Sequence, residues 1–147
     1  MRDAMGGTVA LVIITVFIVI ALGYMAFNVN YTKAFRMKNK IIAVYEDYDG
    51  KCDSKCDEII GNYADSLGYT ANNNFNCGAG YYKGYKNLYC YKQVSTNTNI
   101  SGDGVVEDSK KYYYKIITSI NIEIPIINNM LGLSAFSITG DTRSFKE

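Results

Sequence analysis

The chain has 147 residues, with 15 Lys and Arg against 14 Asp and Glu, no His, no Trp, one Pro, four Cys and 14 Tyr. A formal net charge of +1 excludes the strongly basic profile of a nucleic-acid binder, and the missing His removes the commonest general base and zinc ligand. Mean hydropathy is near zero, but that average hides an uneven distribution.

Ala4 to Thr32 carries no charged residue, and within it Thr8–Phe27 (TVALVIITVFIVIALGYMAF) is an apolar run of 20 residues. At about 1.5 Å per residue a helix of that length spans a hydrocarbon core of roughly 30 Å. Its β-branched residues form helices poorly in water, but in lipid the helix is the open route to a satisfied backbone. A cleaved signal peptide would carry a shorter apolar region ending at small residues. Tyr24-Met25-Ala26-Phe27-Asn28 does not fit that pattern, so a retained single-pass anchor in the lipid bilayer is expected. Thr8, Val12, Val16, Gly23 and Phe27 are the expected contact positions of this membrane and assembly helix.

No Pro or Gly follows until Gly50, and Phe27, Tyr31, Ala34, Phe35, Ile41, Ile42 and Tyr45 recur at helical spacing. One helix of about 40 residues, roughly 60 Å long, is predicted. Its first half is apolar on every side and its second half is amphipathic, with Lys38 interrupting the seam. Gly50 is the expected terminator. The stripe Phe35, Ile41, Ile42 and Tyr45 is expected to cover a sheet. Residues 1–50 thus form an anchor and extended helix, and 51–147 a head.

Four basic residues follow the apolar run, against Arg2 and Asp3 before it, and on flanking charge alone the head would face the cytoplasm. Cys52, Cys56, Cys77 and Cys90 argue the opposite, because an even set in a small anchored domain points to two disulfides in an oxidising compartment. Zinc would need two short-spaced thiolate pairs, and a redox site more often shows Cys-x-x-Cys. The head is therefore expected outside the cytoplasm, at the cell surface. Four cysteines allow three pairings and the sequence does not choose among them; the local closures, Cys52 with Cys56 and Cys77 with Cys90, are the expected ones.

Asp53–Leu67 reads as a helix with Asp53 or Ser54 as N-cap, an apolar face of Ile59, Ile60, Tyr63 and Leu67, and Gly68 at its end. An Asn- and Gly-rich turn region follows, then a strand over Lys86–Val94 and a polar connection over Ser95–Asp108. Lys110–Ile124 alternates as a long strand, with Tyr112, Tyr114, Ile116, Thr118, Ile120, Ile122 and Ile124 on one face. Pro125 ends it, Ile126–Leu133 connects, and Ser134–Phe145 returns as a closing strand. The fold class is α+β, a long N-terminal helix packed on a small antiparallel sheet of three or four strands.

The layout resembles a pseudopilin, and more closely the TadE-type pseudopilins of the tight adherence pilus system. The resemblance rests on Gly6-Gly7 before the apolar helix and on the ending YYYKIITSINIEIPIINNMLGLSAFSITGDTRSFKE. In that ending an alternating strand, a Pro, an apolar linker and a closing strand with Arg143 follow one another. The resemblance implies a noncatalytic structural or accessory subunit of a surface pilus or secretion assembly. Its partners would be other subunits of that assembly, or further copies through the helix, with no nucleic acid and no cofactor or metal. Pilin-like helices usually carry a Glu five residues after the peptidase cut. After a cut at Gly7 that position is Val12, a departure that fits an unprocessed accessory subunit.

A different reading makes the head a binding or adhesion module recognising its ligand through Tyr81, Tyr82, Tyr85, Tyr89, Tyr91 and Tyr113. Tyrosine is also a favoured strand residue that pairs across sheets. An enzyme would have to use Glu46, Asp47 and Asp49 or Asp57 and Glu58. Those acids sit at helix ends, where solvated carboxylates are ordinary, so no catalytic residue is expected.

Overall fold

The computed structural model describes residues 2–71, 75–96, 110–120 and 136–146. Helix α1 runs from Arg2 to Asp47, 46 residues or about 70 Å. It stops where Asp49 and Gly50 adopt positive φ (49° and 76°) and the Gly50 N–H donates to the Tyr45 carbonyl at 2.8 Å. Glycine is required there twice over. A Cβ on Gly50 would lie 2.8 Å from the Tyr114 ring and close to Tyr112 and Phe145.

Helix α2 spans Ser54–Leu67. The Asp53 carboxylate caps it, accepting from the Lys55 and Cys56 N–H groups at 3.1 and 3.4 Å. Gly68 ends it in the left-handed region at φ 60°. Cys56, Ile60, Gly61 and Ala64 form its buried face, whereas Ile59, expected inside, is exposed. The face follows a four-residue step from Cys56, and that phase turns Ile59 outward.

The sheet consists of β1 (Tyr82–Lys83), β2 (Tyr89–Thr96), β3 (Lys111–Ile120), β4 (Phe136–Asp141) and β5 (Phe145–Lys146). Neighbours follow chain order and all pairings are antiparallel, with β5 continuing along the β3 edge that β4 occupies. Two strand expectations need correction. The strand expected to start at Lys86 starts at Tyr89, because Tyr85–Asn87 form a 3₁₀ turn with Lys86 and Asn87 at positive φ. Gly84 lies under the Tyr89 ring, where no Cβ fits, and this tight return from β1 consumes the first expected strand residues. The single closing strand is two short ones. Thr142 interrupts it, its N–H donating to the Tyr114 carbonyl while its Oγ1 accepts from the Tyr114 N–H, both at 2.9 Å. The expectations for residues 97–108 and 121–135, the strand end at Pro125 included, lie outside the described residues.

The second half of α1 crosses the inner face of the sheet. Ala34, Met37, Ile41, Val44 and Tyr45 are buried against Ile60 and Ala64 of α2 and Tyr89, Ile116 and Ile120 of the sheet. Ile42 packs at the margin of this core. Phe35, expected in the helix–sheet seam, is 41% exposed and outside it. The seam steps through Ala34 and Met37, and the small Ala34 lets the backbones approach until Thr118 Oγ1 donates to the Ala34 carbonyl at 3.2 Å. Lys38 does not break the seam, since its ammonium folds over the Phe35 ring at 4.5 Å. Gly140, opposite Ile116, gives the helix room over β4; a Cβ there would meet Ile42 Cδ1 at 2.8 Å.

Candidate assembly helix and its seat on the head

The first half of α1 touches little of the molecule. Its most apolar 18-residue window has mean hydropathy 2.8 and none of it is buried, so one helix is long and apolar enough to cross a membrane. Val12 and Val16 are more than half exposed, Thr8 is exposed, and Gly23 and Phe27 are half-buried. Three polar side chains along this stretch bond within the helix: Thr15 Oγ1, Asn28 Nδ2 and Thr32 Oγ1 donate to the carbonyls of Leu11, Tyr24 and Asn28 at 2.8–2.9 Å. Such back-bonding removes the need for water at those groups.

Where the helix meets the head, its basic residues have local uses. Lys33 Nζ donates to the Gly68 carbonyl at 3.2 Å, placing a cation at the C-terminal end of α2, where the helix dipole favours one. Lys40 lies over the Tyr63 ring at 5.9 Å. With Lys38 over Phe35, three of the four charges that conflict with the expected orientation contact protein groups.

Above that collar the seat is aromatic. Tyr45 lies among Tyr89, Tyr91 and Tyr114, with centroids 5.1–6.2 Å apart, in the tilted and edge-on arrangements aromatic rings prefer. The Tyr45 and Tyr89 hydroxyls share a buried hydrogen bond at 3.2 Å. Burial pushes both phenols up, Tyr89 to about 12 and Tyr45 further, because a phenolate there would lose its hydration. Tyr69 is also pushed up by burial; its hydroxyl donates to the Ser119 carbonyl at 2.8 Å. Of the tyrosines suggested as a recognition surface, Tyr89 is buried and Tyr91 belongs to this seat, while Tyr82 is 68% exposed.

At the far end of the helix the interruption in the closing strand aims Arg143 at the α1 terminus. The Arg143 N–H donates to Glu46 Oε1 at 2.7 Å, and its guanidinium donates to the Glu46 carbonyl at 2.9 Å and to Asp49 Oδ1 at 3.0 Å. These contacts join residues 94 and 97 apart, and at the helix end the guanidinium adds to the Asp49 N–H that already donates to the Glu46 carbonyl. A shallow groove of about 440 Å³ opens beside them, bordered by Lys51, Tyr112, Arg143 and Phe145. Glu46 and Asp49 thus serve a structural tie. Asp57 is pushed up by partial burial and by Asp53 nearby. Among the described residues no group of three or more His, Cys, Asp or Glu is placed to hold a metal.

Both expected disulfides are present. Cys52–Cys56 holds the turn between the two helices, and Cys77–Cys90 ties the Asn- and Gly-rich loop to β2. Sequence reasoning missed Met37, Val44 and Gly140 and the reach of Arg143. The three- and four-residue step from Ala34 could have found the first two; Gly140 and Arg143 depend on pairing that no local pattern encodes. No family model, curated protein or solved structure matches the chain.

Proposed function

We propose that the protein is a noncatalytic, membrane-anchored pseudopilin-type subunit of a bacterial surface pilus or secretion assembly, with the head outside the cytoplasm. One observation carries the reading: a single unbroken helix is bare and apolar in its first half and docked on a disulfide-bonded sheet in its second. A bare apolar helix needs lipid or other apolar helices around it. A docked second half transmits whatever position the first half takes to the head as one rigid piece. The disulfides favour the extracytoplasmic side. The local engagement of Lys33, Lys38 and Lys40 weakens the contrary signal from flanking charge.

The test is photo-crosslinking in cells from probes placed at Val12 and Val16. Adducts with further copies or with subunits of a pilus or secretion apparatus are expected. Recovery of monomer alone would overturn the reading.

A further inference from the structure

One apolar ladder starts at half-buried Phe27, where the bare helix ends, and continues outside the core. Phe27, Tyr31 and Phe35 stack along α1 at four-residue steps, with consecutive centroids 6.3 Å apart. Phe136, the first residue of β4, meets Phe27 edge-on at 6.0 Å. Tyr31 is 44% exposed, Phe35 41% and Phe136 39%. The ladder borders the side of the helix that faces β4, where Lys38 passes between Gly140 and the Phe35 ring. Arg36 is exposed at the same level.

We infer that this ladder is a lipid-interface seat: Phe27, Tyr31, Phe35 and Phe136 enter the headgroup layer of the bilayer that α1 spans, so the head rests on the membrane. The inference rests on the anchor part of the proposed function. Position supports it first. The apolar run ends at Phe27, and at ~1.5 Å per residue Tyr31 lies about 6 Å and Phe35 about 12 Å beyond it. The headgroup layer is roughly 5–8 Å thick on each side, and a tilt of about 30° toward the ladder face, within the usual range, brings the Phe35 ring from about 12 Å to roughly 7 Å above the apolar boundary. Phe136 is level with Phe27 by direct contact, so the head itself reaches the boundary.

Chemistry supports it second. Aromatic rings flanked by cations are the side chains that favour the interface, with rings among the headgroups and cations near phosphates. Exposed Arg36 supplies such a cation at the outer end of the ladder. Continuity with the apolar run favours lipid over a second copy of the chain, because the same face passes without a break from the hydrocarbon-length segment into the ladder.

The chain contains no Trp, so a single introduced indole reports alone. The full chain carrying Tyr31→Trp, Phe35→Trp or Phe136→Trp is reconstituted into phosphatidylcholine–phosphatidylglycerol vesicles with bromines near the carbonyl end of the acyl chains. Blue-shifted emission and loss of intensity are expected for all three. Tyr82→Trp is the reference. Tyr82 pairs with Tyr91 and through it with Ile116, level with Ile42 and about 22 Å above Phe27, and it stays unquenched. Phe17→Trp, read with bromines deep in the chains, tests the anchor separately.

Quenching at Phe17→Trp with Phe35→Trp and Phe136→Trp behaving like Tyr82→Trp overturns this inference and leaves the anchor standing. No quenching at Phe17→Trp overturns both. Protection of the ladder that grows with the protein-to-lipid ratio also overturns it, since a second copy then covers the face.

Discussion

The two halves of α1 obey the same backbone geometry and solve opposite problems. From Gly6 to about Phe27 the residues are strongly apolar, yet most of them are exposed within the chain. From Ala34 to Tyr45 the helix carries Lys and Arg and still buries Met37, Ile41 and Val44. Hydrophobicity summed over residues does not say what buries a helix. Its distribution around the axis does: an apolar surface on every side needs an external solvent of its own kind, whereas a stripe needs one partner surface.

The largest expected effect separates the halves directly. Ile41→Ala is expected to cost about 2–5 kcal/mol of head stability, while Ile14→Ala changes it by less than about 0.5 kcal/mol. Denaturant unfolding of the detergent-solubilised chain, followed by tyrosine fluorescence, measures both; equal losses would erase the contrast.

Alkaline pH attacks the docked half next. The folded-state pKa of Tyr89 is raised from 10.0 to about 12 by burial, so folding holds the phenol's proton more tightly than the unfolded chain does. That contribution is complete below about pH 10 and is lost as pH rises towards about 12, at roughly 1.4 kcal/mol per unit. Tyr45, Tyr69 and Tyr114 shift in the same direction, each mainly through burial. Unfolding midpoints taken at rising pH should fall steeply across that window, and more gently in Tyr89→Phe. A flat profile would mean that the aromatic seat admits water.

The smallest effect concerns the end of the helix. Arg143→Ala should lower head stability by about 1 kcal/mol, because it removes the exposed ion pair with Asp49 and the guanidinium bond to the Glu46 carbonyl, while the backbone N–H of residue 143 still reaches the Glu46 carboxylate. Faster amide exchange confined to Tyr48–Lys51 is the expected signature. Unchanged exchange there would assign the terminus to Gly50 alone.

Much of this architecture is legible in the residues. The uncharged run, the absence of Gly and Pro up to Gly50 and the alternation through Tyr112–Ile120 mark the long helix and the central strand, and each is a local pattern. The cysteine pairs are the local closures among the three pairings that the residues leave open. The phase of the seam is harder. Phe35 looks like a core residue by size, but the sheet prefers the flat surface around Ala34 and leaves Phe35 beside Lys38. The split between β4 and β5 is invisible in Ser134–Phe145, because Thr142 leaves the ladder to bond Tyr114 and Arg143 follows to reach Glu46. Those are contacts between distant segments, and composition near Thr142 does not announce them.

The bond from Thr118 to the Ala34 carbonyl spans 84 residues, and this sets an order of events in time. At a synthesis rate of about 5–20 residues per second, Ala34 waits roughly 4–17 s for its partner strand to be made. During that interval Ile60 and Ala64 of α2 can cover only part of the strip of Met37, Ile41, Val44 and Tyr45, and its sheet side stays open on a newly made chain. Both Cys52 and Cys56 are in the chain about 55 residues before β3 begins, roughly 3–11 s earlier. A helix made this long before its sheet leaves the newborn head dependent on protection by its surroundings until the central strand arrives.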